Sequence, residues 1–585
     1  MKTRKLSLFT GLCIAVLPSV ACAAEPRAPL APAPATVAAA RDDSVDALIA
    51  KGRALLDEKK FTEAEAVFAE AEKKDGATFK TRLWSLRTAL ALGHVNDVLN
   101  ELDKLIGAGQ KGLDMDYLYG MAFAEKARGY ITENVAGATI KMSFLDAVSY
   151  LDKVTTADAA KYHDAFLPLA EAAWYVQELG LGRTAAEKAL SLAPADSDAA
   201  LMLGKIALSQ FAAIWNEEAL REEKKAEADA HWEAARAAFE KAAVSFGEPK
   251  DKAAAVTAAE IQVQLAQCLG WKKKDDAAKA YGAAMGFAPA SVNFQGALGV
   301  LGGEKFLPAV ELGEKNYSAR WGAEDNGDAT LVWWLGYARF DQKQYATAEE
   351  AFQTVLKKQN DFYNSWFFIA LARYHQQKFE DAIAALRKNF EVDPTNLVAS
   401  ISASPGYNLP IIDYLITWSA QKSHNLDAAF LSEVECAVAP ENGLYWNNLG
   451  LFYRDAGDQL AQKKGADEKA KQKAVELWEK SLVAYEKALS RSPEDPNYLN
   501  DLAVILHYNL HRDLERAKAL YEKAFANATK ELERKDLSAD MREIRKIAAR
   551  DSKNNLDKLT REMEKKDVKK DDAKKDGETK KDGPQ

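Results

Sequence analysis

Apolar and small side chains recur along most of this chain at a period near 34 residues, in paired stretches of helical spacing parted by short polar turns. The pattern is plainest between Ala329 and Pro394. One unit starts near Ala329 and places Leu335, Gly336, Tyr345, Ala348 and Phe352 where a second, starting near Tyr363, places Ile369, Ala370, Phe379, Ala382 and Leu386. Each unit reads as two helices joined at a Lys/Gln-rich turn, Gln342-Lys343-Gln344 in the first and Gln376-Gln377-Lys378 in the second. The small residues Gly336, Ala348, Ala370 and Ala382 let the two axes approach closely, and the aromatic after the turn fills the remaining gap. Pro394 closes the second unit, because the residue before a proline disfavours helix. A hairpin of this kind keeps one apolar face that only a stacked neighbour covers, so the pattern predicts an extended superhelix with a long groove.

Degenerate copies flank the clear pair. Gly52, Leu55, Phe61, Ala64, Phe68 and Ala71 form the first, with Gly76 at its stop position. Others rest on Ala186, Ala189, Leu190 and Pro194; on Leu203-Gly204 with Ala235, Phe239 and Ala242; and on Ala277, Tyr281, Ala284 and Pro289. Ala428 with Pro440, Tyr485 and Ala488 with Pro493, and Leu502-Ala503 with Ala517, Tyr521 and Ala524 continue the series. Weaker copies cover 84–106 and 294–315, and Trp446 to Tyr453 carries W-x-x-L-G-x-x-Y. Over roughly residues 44–526 the chain resembles the tetratricopeptide repeat family. The resemblance implies an all-α helix-hairpin solenoid of about ten to twelve repeats, several of them degenerate.

Two units depart from the frame in the same way. From Gly204 to Ala235, and from Gly450 to Ser481, the separation is 31 residues where the ordinary repeat has 12. The first insert, Ser209 to Trp232, has neither Gly nor Pro and carries i,i+4 charges such as Glu217 and Arg221, which support an exposed helix. The second is lysine-rich and holds Gly457 and Gly465. Shared between two helices, 19 extra residues lengthen each by about 14 Å, giving two elongated hairpins. The inserts read either as family drift or as arms that touch a partner. A third insert, around Gly129 to Ala138, reads as a loop.

The resemblance also implies where a partner would lie. In the family the first helix of each repeat lines the concave face with residues near its positions 2, 5, 9 and 12. Here those are Thr330, Trp333, Tyr337 and Phe340; Asn364, Phe367, Leu371 and Tyr374; and Leu444, Asn447, Leu451 and Arg454. Trp333, Tyr337, Phe340, Phe367, Tyr374, Asn447 and Arg454 are therefore the candidate partner-binding residues. Asn448 matches the asparagine of the family's carboxylate clamp, but aromatics stand at the lysine and arginine places of the clear pair, which argues against that mode. The competing reading is that a tight superhelix covers these rings and makes them core.

Composition narrows the picture. With 48% hydrophobic and 28% charged residues the chain can bury a large core, and the alternating β-branched runs of strands are missing. A formal net charge of −9 argues against a general nucleic-acid binder. Lys2, Arg4 and Lys5, the apolar run Leu6 to Leu17 and the small residues Ala21-Cys22-Ala23-Ala24 predict a cleaved signal peptide over 1–24, and no later run is long enough for a transmembrane helix. Localisation is expected to be periplasmic or in the cell envelope. Ser19-Val20-Ala21-Cys22 also resembles a lipoprotein signal, under which Cys22 would carry a lipid anchor; secretion is a further alternative.

A Pro/Ala-rich disordered linker is expected over 25–43, an N-terminal repeat block over 44–318 and a C-terminal block over 329–530. Leu537, Met541, Ile544, Ala548, Leu559 and Met563 predict a capping helix region over 531–564, and the Lys/acidic residues of 565–585 a disordered tail.

Candidate chemistry is sparse. Phosphate-loop, nucleophile-elbow and zinc-helix motifs are missing, so no enzyme activity, cofactor or metal is expected. His507 and His511 have i,i+4 spacing but straddle a predicted helix end, and Asp325-Asn326-Gly327-Asp328 reads as a turn rather than a calcium loop. Asn316-Tyr317-Ser318 and Asn527-Ala528-Thr529 are glycosylation sequons where the host glycosylates exported proteins. Cys268 and Cys436 read as separate buried thiols. The expected function is a non-enzymatic scaffold that holds a protein or peptide partner in its groove. A self-associating envelope protein is the alternative, and an enzyme with an unrecognised site a more distant one.

Overall fold

A computed structural model of the chain describes residues 44–578 except Ala77, Asn326, Tyr363 and Ala466; the side chains of 323–325 and 566–578 are also outside it. The signal peptide, its Cys22 and the linker of 25–43 lie outside the described residues. Every regular element among those described is helical. The chain divides into two units between Asn326 and Gly327.

The first unit opens with α1 (Val45–Asp57), α2 (Phe61–Asp75), α3 (Phe79–Ala91) and α4 (Val95–Gly107). There follow α5 (Leu113–Thr132), α6 (Gly137–Ala157), α7 (Phe166–Val176), α8 (Leu179–Leu192) and α9 (Ser197–Trp215). A short α10 (Glu218–Glu223) leads into α11 (Lys225–Phe246), α12 (Lys252–Gly270), α13 (Lys274–Phe287), α14 (Phe294–Leu301) and α15 (Gly303–Asp325). In the second unit are α16 (Ala329–Asp341), α17 (Tyr345–Lys358), α18 (Ser365–His375), α19 (Phe379–Val392), α20 (Pro394–Ser402), α21 (Pro405–Gln421) and α22 (Asn425–Val438). It ends with α23 (Gly443–Ala461), α24 (Glu468–Arg491), α25 (Pro496–Val504), α26 (Leu514–Leu532) and α27 (Ala539–Glu578). Within each unit consecutive helices pair as hairpins and each hairpin packs on the next, which is an all-α solenoid.

Local sequence explains the punctuation. Many first helices start at a side-chain cap: Asp328 accepts from Leu331 N at 2.8 Å, and Asp196, Asp251, Asp393, Asn442 and Asp495 do the same for α9, α12, α20, α23 and α25. Inside the hairpins the turns use a left-handed residue, Lys343 at φ 62° and Gln377 at φ 60°. In the first of these, Lys343 N bonds Phe340 O at 2.9 Å and Gln344 N bonds Arg339 O at 2.8 Å, which satisfies the last carbonyls of α16.

In several hairpins a small residue of the first helix faces a large one of the second. A Cβ added at Gly52 would lie 2.4 Å from the Phe68 ring, at Gly204 2.5 Å from Phe239, at Gly336 2.9 Å from Phe352 and at Gly450 2.6 Å from Tyr485. The ordinary pairs are 16 residues apart and the Gly204 and Gly450 pairs 35, so the 19 extra residues lengthen the hairpin beyond the contact without shifting it. The elongated helices are 19 and 22 residues in α9 and α11, and 19 and 24 in α23 and α24.

Two expectations need correction. The insert around Gly129 to Ala138 is not a loop: α5 runs to Thr132 and α6 starts at Gly137, leaving four residues for the turn. Gly120 packs on Leu151 and the hairpin is a third elongated one; nothing between Gly129 and Thr132 stops a helix except the weak preference of one exposed glycine. At the other end, α27 continues through Glu578, well into the tail expected to begin at Lys565.

Candidate partner-binding surface

Counting each repeat from the start of its first helix, the structure assigns a common task to the sixth residue. In the repeat after Ala329 that residue is Phe368, carried by α18. Its ring lies 5.7 Å from Trp333, 5.6 Å from Tyr337 and 5.4 Å from Phe340, all on α16, and stacks 5.3 Å from Phe352 of α17. Positions 5, 9 and 12 of one repeat thus form a cup for position 6 of the next. The same geometry recurs where Tyr414 of α21 meets Tyr374 of α18 at 5.6 Å; α21 starts early, at Pro405, but Tyr414 stands nine residues before the left-handed turn residue Ser423 as Phe368 stands nine before Gln377. In the first unit Trp84 stacks 6.1 Å from Phe68, and the Arg53 guanidinium lies 4.7 Å over its ring.

A polar version joins α23 to α25. Asp501 holds position 6 there and accepts from Asn447 Nδ2 at 3.1 Å and from Asn500 Nδ2 at 3.3 Å. Burial raises its carboxyl above the ordinary aspartate range, while Asn447 and the nearby Arg454 charge oppose the rise. Arg454 itself donates to Asp455 Oδ1 at 2.9 Å.

This packing sorts the seven residues singled out in the sequence. Trp333, Phe367 and Asn447 are buried, at 9%, 4% and 9% exposure, and pack between repeats. Tyr337, Phe340, Tyr374 and Arg454 are half-buried and keep part of their surface. The sequence could not separate the two sets, because the covering group comes from another repeat.

Two rings at the edge of this layer are open. Tyr407 and Tyr414 of α21 are 48% and 46% exposed, and both continue the buried aromatic layer outward. Tyr407 Oη and His375 Nε2 are hydrogen-bonded at 2.7 Å, and His375 stacks on Tyr345 at 4.5 Å. Burial lowers the His375 pKa, so the ring is neutral at physiological pH and presents an uncharged aromatic face. Tyr414 lies 5.2 Å from Phe379, which lies 5.6 Å from Trp418. The result is an aromatic ribbon across α17, α18, α19 and α21 whose outermost members are tyrosines.

The elongated hairpins are braced. In each, an aromatic stands seven residues before the large contact residue: Phe144, Trp232 and Trp478. Phe144 stacks 4.4 Å from Tyr175 of α7, and Trp232 donates Nε1–H to Cys268 O of α12 at 2.8 Å. Trp478 donates to Asp458 at 3.0 Å, which also accepts from Asn509 at 2.6 Å. Lys272 pairs with Asp229, and Arg512 forms a bidentate pair with Glu479. The insert arms around 209–232 and 457–474 therefore support the following repeat along part of their length.

Other candidates are accounted for by packing. Residues 505–509 form a wider helical turn in which His507 is buried; its Nε2 is 3.2 Å from Glu562 and its Nδ1 3.4 Å from Tyr521 Oη, so both ring nitrogens face protein groups. His511 sits beyond that turn with a left-handed backbone. Cys268 and Cys436 are buried free thiols, each pushed up to about 12 by burial. Among the described residues no helix is long and apolar enough to cross a membrane, and no group of three or more His, Cys, Asp or Glu side chains is placed to hold a metal.

The fold and its contacts define a class, the helix-hairpin repeat proteins. Residues 335–388 match the family model described as tetratricopeptide repeat, over the tandem pair where the Gly336–Phe352 contact lies. The same small-to-large contact repeats in register at Gly52, Gly204 and Gly450, so the matched segment is a tetratricopeptide repeat set among hairpins of like construction. The solved C-terminal part of a TPR repeat-containing protein from Cytophaga hutchinsonii is 15% identical at a TM-score of 0.32, covering 56% of this chain and 99% of that one. The Cut9–Hcn1 hetero-tetramer of APC/C is 11% identical at 0.26, covering 88% and 96%, and the MamA protein 17% identical at 0.22, covering 36% and 96%. No curated protein sequence matches the chain. Tetratricopeptide repeats mediate protein–protein interaction.

Proposed function

We propose that the protein is a non-enzymatic scaffold of the cell envelope that holds a protein or peptide partner on the aromatic surface of its second unit. The observation that carries this reading is the open pair Tyr407 and Tyr414 at the edge of a ribbon whose other rings are packed. Tyrosine is favoured at protein interfaces because it offers a large rigid face and a hydroxyl at little entropic cost. Tyr374, Tyr337 and Phe340 extend the surface inward. Export is supported by the basic, apolar and small-residue succession of the first 24 residues.

The test is affinity capture from the envelope fraction with the wild-type chain and with a Tyr407→Ala/Tyr414→Ala variant. A partner held by the first and lost by the second, at equal melting temperature, supports the reading. Capture that ignores both tyrosines moves the site elsewhere. Fractionation tests the location, and an extracted chain that retains Met1 would count against export.

A further inference from the structure

We propose that the α21–α22 hairpin holds an arginine side chain of the partner, its guanidinium clasped between the exposed Asp413 and the buried Glu435 and laid against the open ring of Tyr414; the inference rests on the binding reading above and names the partner's chemistry.

Glu435 is 1% exposed, and among the described residues neither of its carboxyl oxygens has a hydrogen-bond partner. Buried acceptors left unmet cost free energy, so a site built this way is completed by a donor. The charged group that acts on Glu435 is another acid, Asp413, exposed on α21. Neither acid forms an ion pair among the described residues. Tyr445 of α23 and the adjoining Cys436 are the other titratable groups beside Glu435, and burial raises both, so they keep their protons at neutral pH and supply no charge. Two acids therefore meet at the edge of the aromatic ribbon with no cation between them, and a cation is what the pair lacks.

Arginine suits the pair better than lysine. A guanidinium is planar and carries five N–H donors in a fixed fork, so its edges meet two carboxyls while its face lies on a ring; an ammonium has no such plane. Tyr414 directly follows Asp413 and offers a ring that is 46% exposed. The same unit already combines these parts: Arg387 donates to Asp427 Oδ1 at 2.9 Å while its guanidinium lies 4.3 Å over Phe430. In the free protein a proton stands in for the cation, because burial and then the Asp413 charge push the Glu435 carboxyl up to about 9. An entering guanidinium makes that proton unnecessary, and it leaves Glu435 for solvent as the arginine docks.

The experiment uses the full chain and a fluorescent Gly/Ser peptide carrying two arginines, with lysine, citrulline and glutamate counterparts as controls. The arginine peptide is expected to bind the wild type, the lysine peptide several-fold more weakly, and the neutral and acidic peptides not at all. At about pH 8, Asp413→Asn and Glu435→Gln should each weaken the arginine peptide about tenfold or more without lowering the melting temperature. Wild-type affinity should rise with pH towards 8 by up to about tenfold per unit, and calorimetry in two buffers of different ionisation enthalpy should read release of about one proton per peptide. Glu435→Gln should abolish both effects. Equal binding of the lysine or citrulline peptide, indifference to either carboxyl, or an affinity that ignores pH each overturns the proposal. If the peptide fails while envelope capture still depends on Tyr407 and Tyr414, this inference falls and the aromatic surface stands; if capture ignores the tyrosines as well, both fall.

Discussion

At Gly336 the space for a side chain is already taken by the Phe352 ring, and the pairs Gly52–Phe68, Gly204–Phe239 and Gly450–Tyr485 are closer still. A Gly336→Leu substitution must push α16 and α17 apart, at a cost of roughly 1–3 kcal/mol from overpacking. Its denaturation midpoint should fall accordingly, and an unchanged midpoint would contradict the contact. Larger losses belong to the rings between repeats. Trp333→Ala removes a side chain buried against Phe368 and Phe352 and should cost about 3–5 kcal/mol. Tyr414→Ala, on a ring nearly half exposed, should cost about 1 kcal/mol or less. Comparing the two in chemical denaturation separates core from surface within one aromatic ribbon. The small-to-large pairs were legible in the sequence because both partners lie in one repeat at fixed spacing. The position-6 contacts were not, because Trp84, Phe368, Tyr414 and Asp501 share no chemistry and their cups are built by the preceding repeat.

The hairpin is the element at which turn and buried charge decide stability. Lys343 and Gln377 are exposed and left-handed, a conformation that costs an L side chain about 1–2 kcal/mol and glycine almost nothing. After glycine's own entropic penalty, Lys343→Gly and Gln377→Gly should each stabilise by about 0.5–1 kcal/mol, read as a raised melting temperature. The α21–α22 hairpin carries Glu435, only 1% exposed, whose carboxyl is pushed up to about 9 by burial and, after that, by the neighbouring Asp413. The folded group therefore holds its proton while the unfolded one releases it near 4.5. The unfolded state binds fewer protons between those values, so stability falls as pH rises from about 4.5 towards 9. Glu435→Gln should match the wild type near pH 4 and gain on it by up to about 1.4 kcal/mol per pH unit across that window. A pH-independent difference between their denaturation midpoints would refute the assignment. Element lengths were legible where an insert lacked breakers, as in Ser209 to Trp232. Gly129 misled the reading of α5, since one solvent-facing glycine costs a helix only about 1 kcal/mol and tertiary packing on α6 outweighs it.

For the molecule as a whole, stability should pass from neighbour to neighbour rather than through one common core, because each hairpin contacts chiefly the hairpins beside it. The end of the second unit makes this testable. Helix α27 buries Ala548, Ser552 and Leu559 against the last hairpin. Its Arg545, 6% exposed, donates to Glu531 at 2.6 Å and Asp495 at 3.1 Å, and Asn555 accepts from Tyr508 Oη at 2.9 Å. Glu562 completes the seam at His507, whose pKa burial lowers against the pull of that carboxylate. The cap was legible in the sequence from its apolar spacing, whereas the polar seam was not, since all its partners but Glu531 lie some 50 residues upstream, at the cap of α25 and in the turn after that helix. Removing residues 533–585 leaves Tyr521, Leu502 and Leu506 without their cover. Amide exchange should then accelerate in α25, residues 505–509 and α26, weaken with distance through α23 and α24, and stay unchanged in α16 to α19. Removing only 566–585 takes none of those contacts and should leave both exchange and melting temperature as they are. If the larger truncation instead raised exchange evenly through the unit, the hairpins would fold as a single cooperative block, and the neighbour-by-neighbour account of this solenoid would have to be given up.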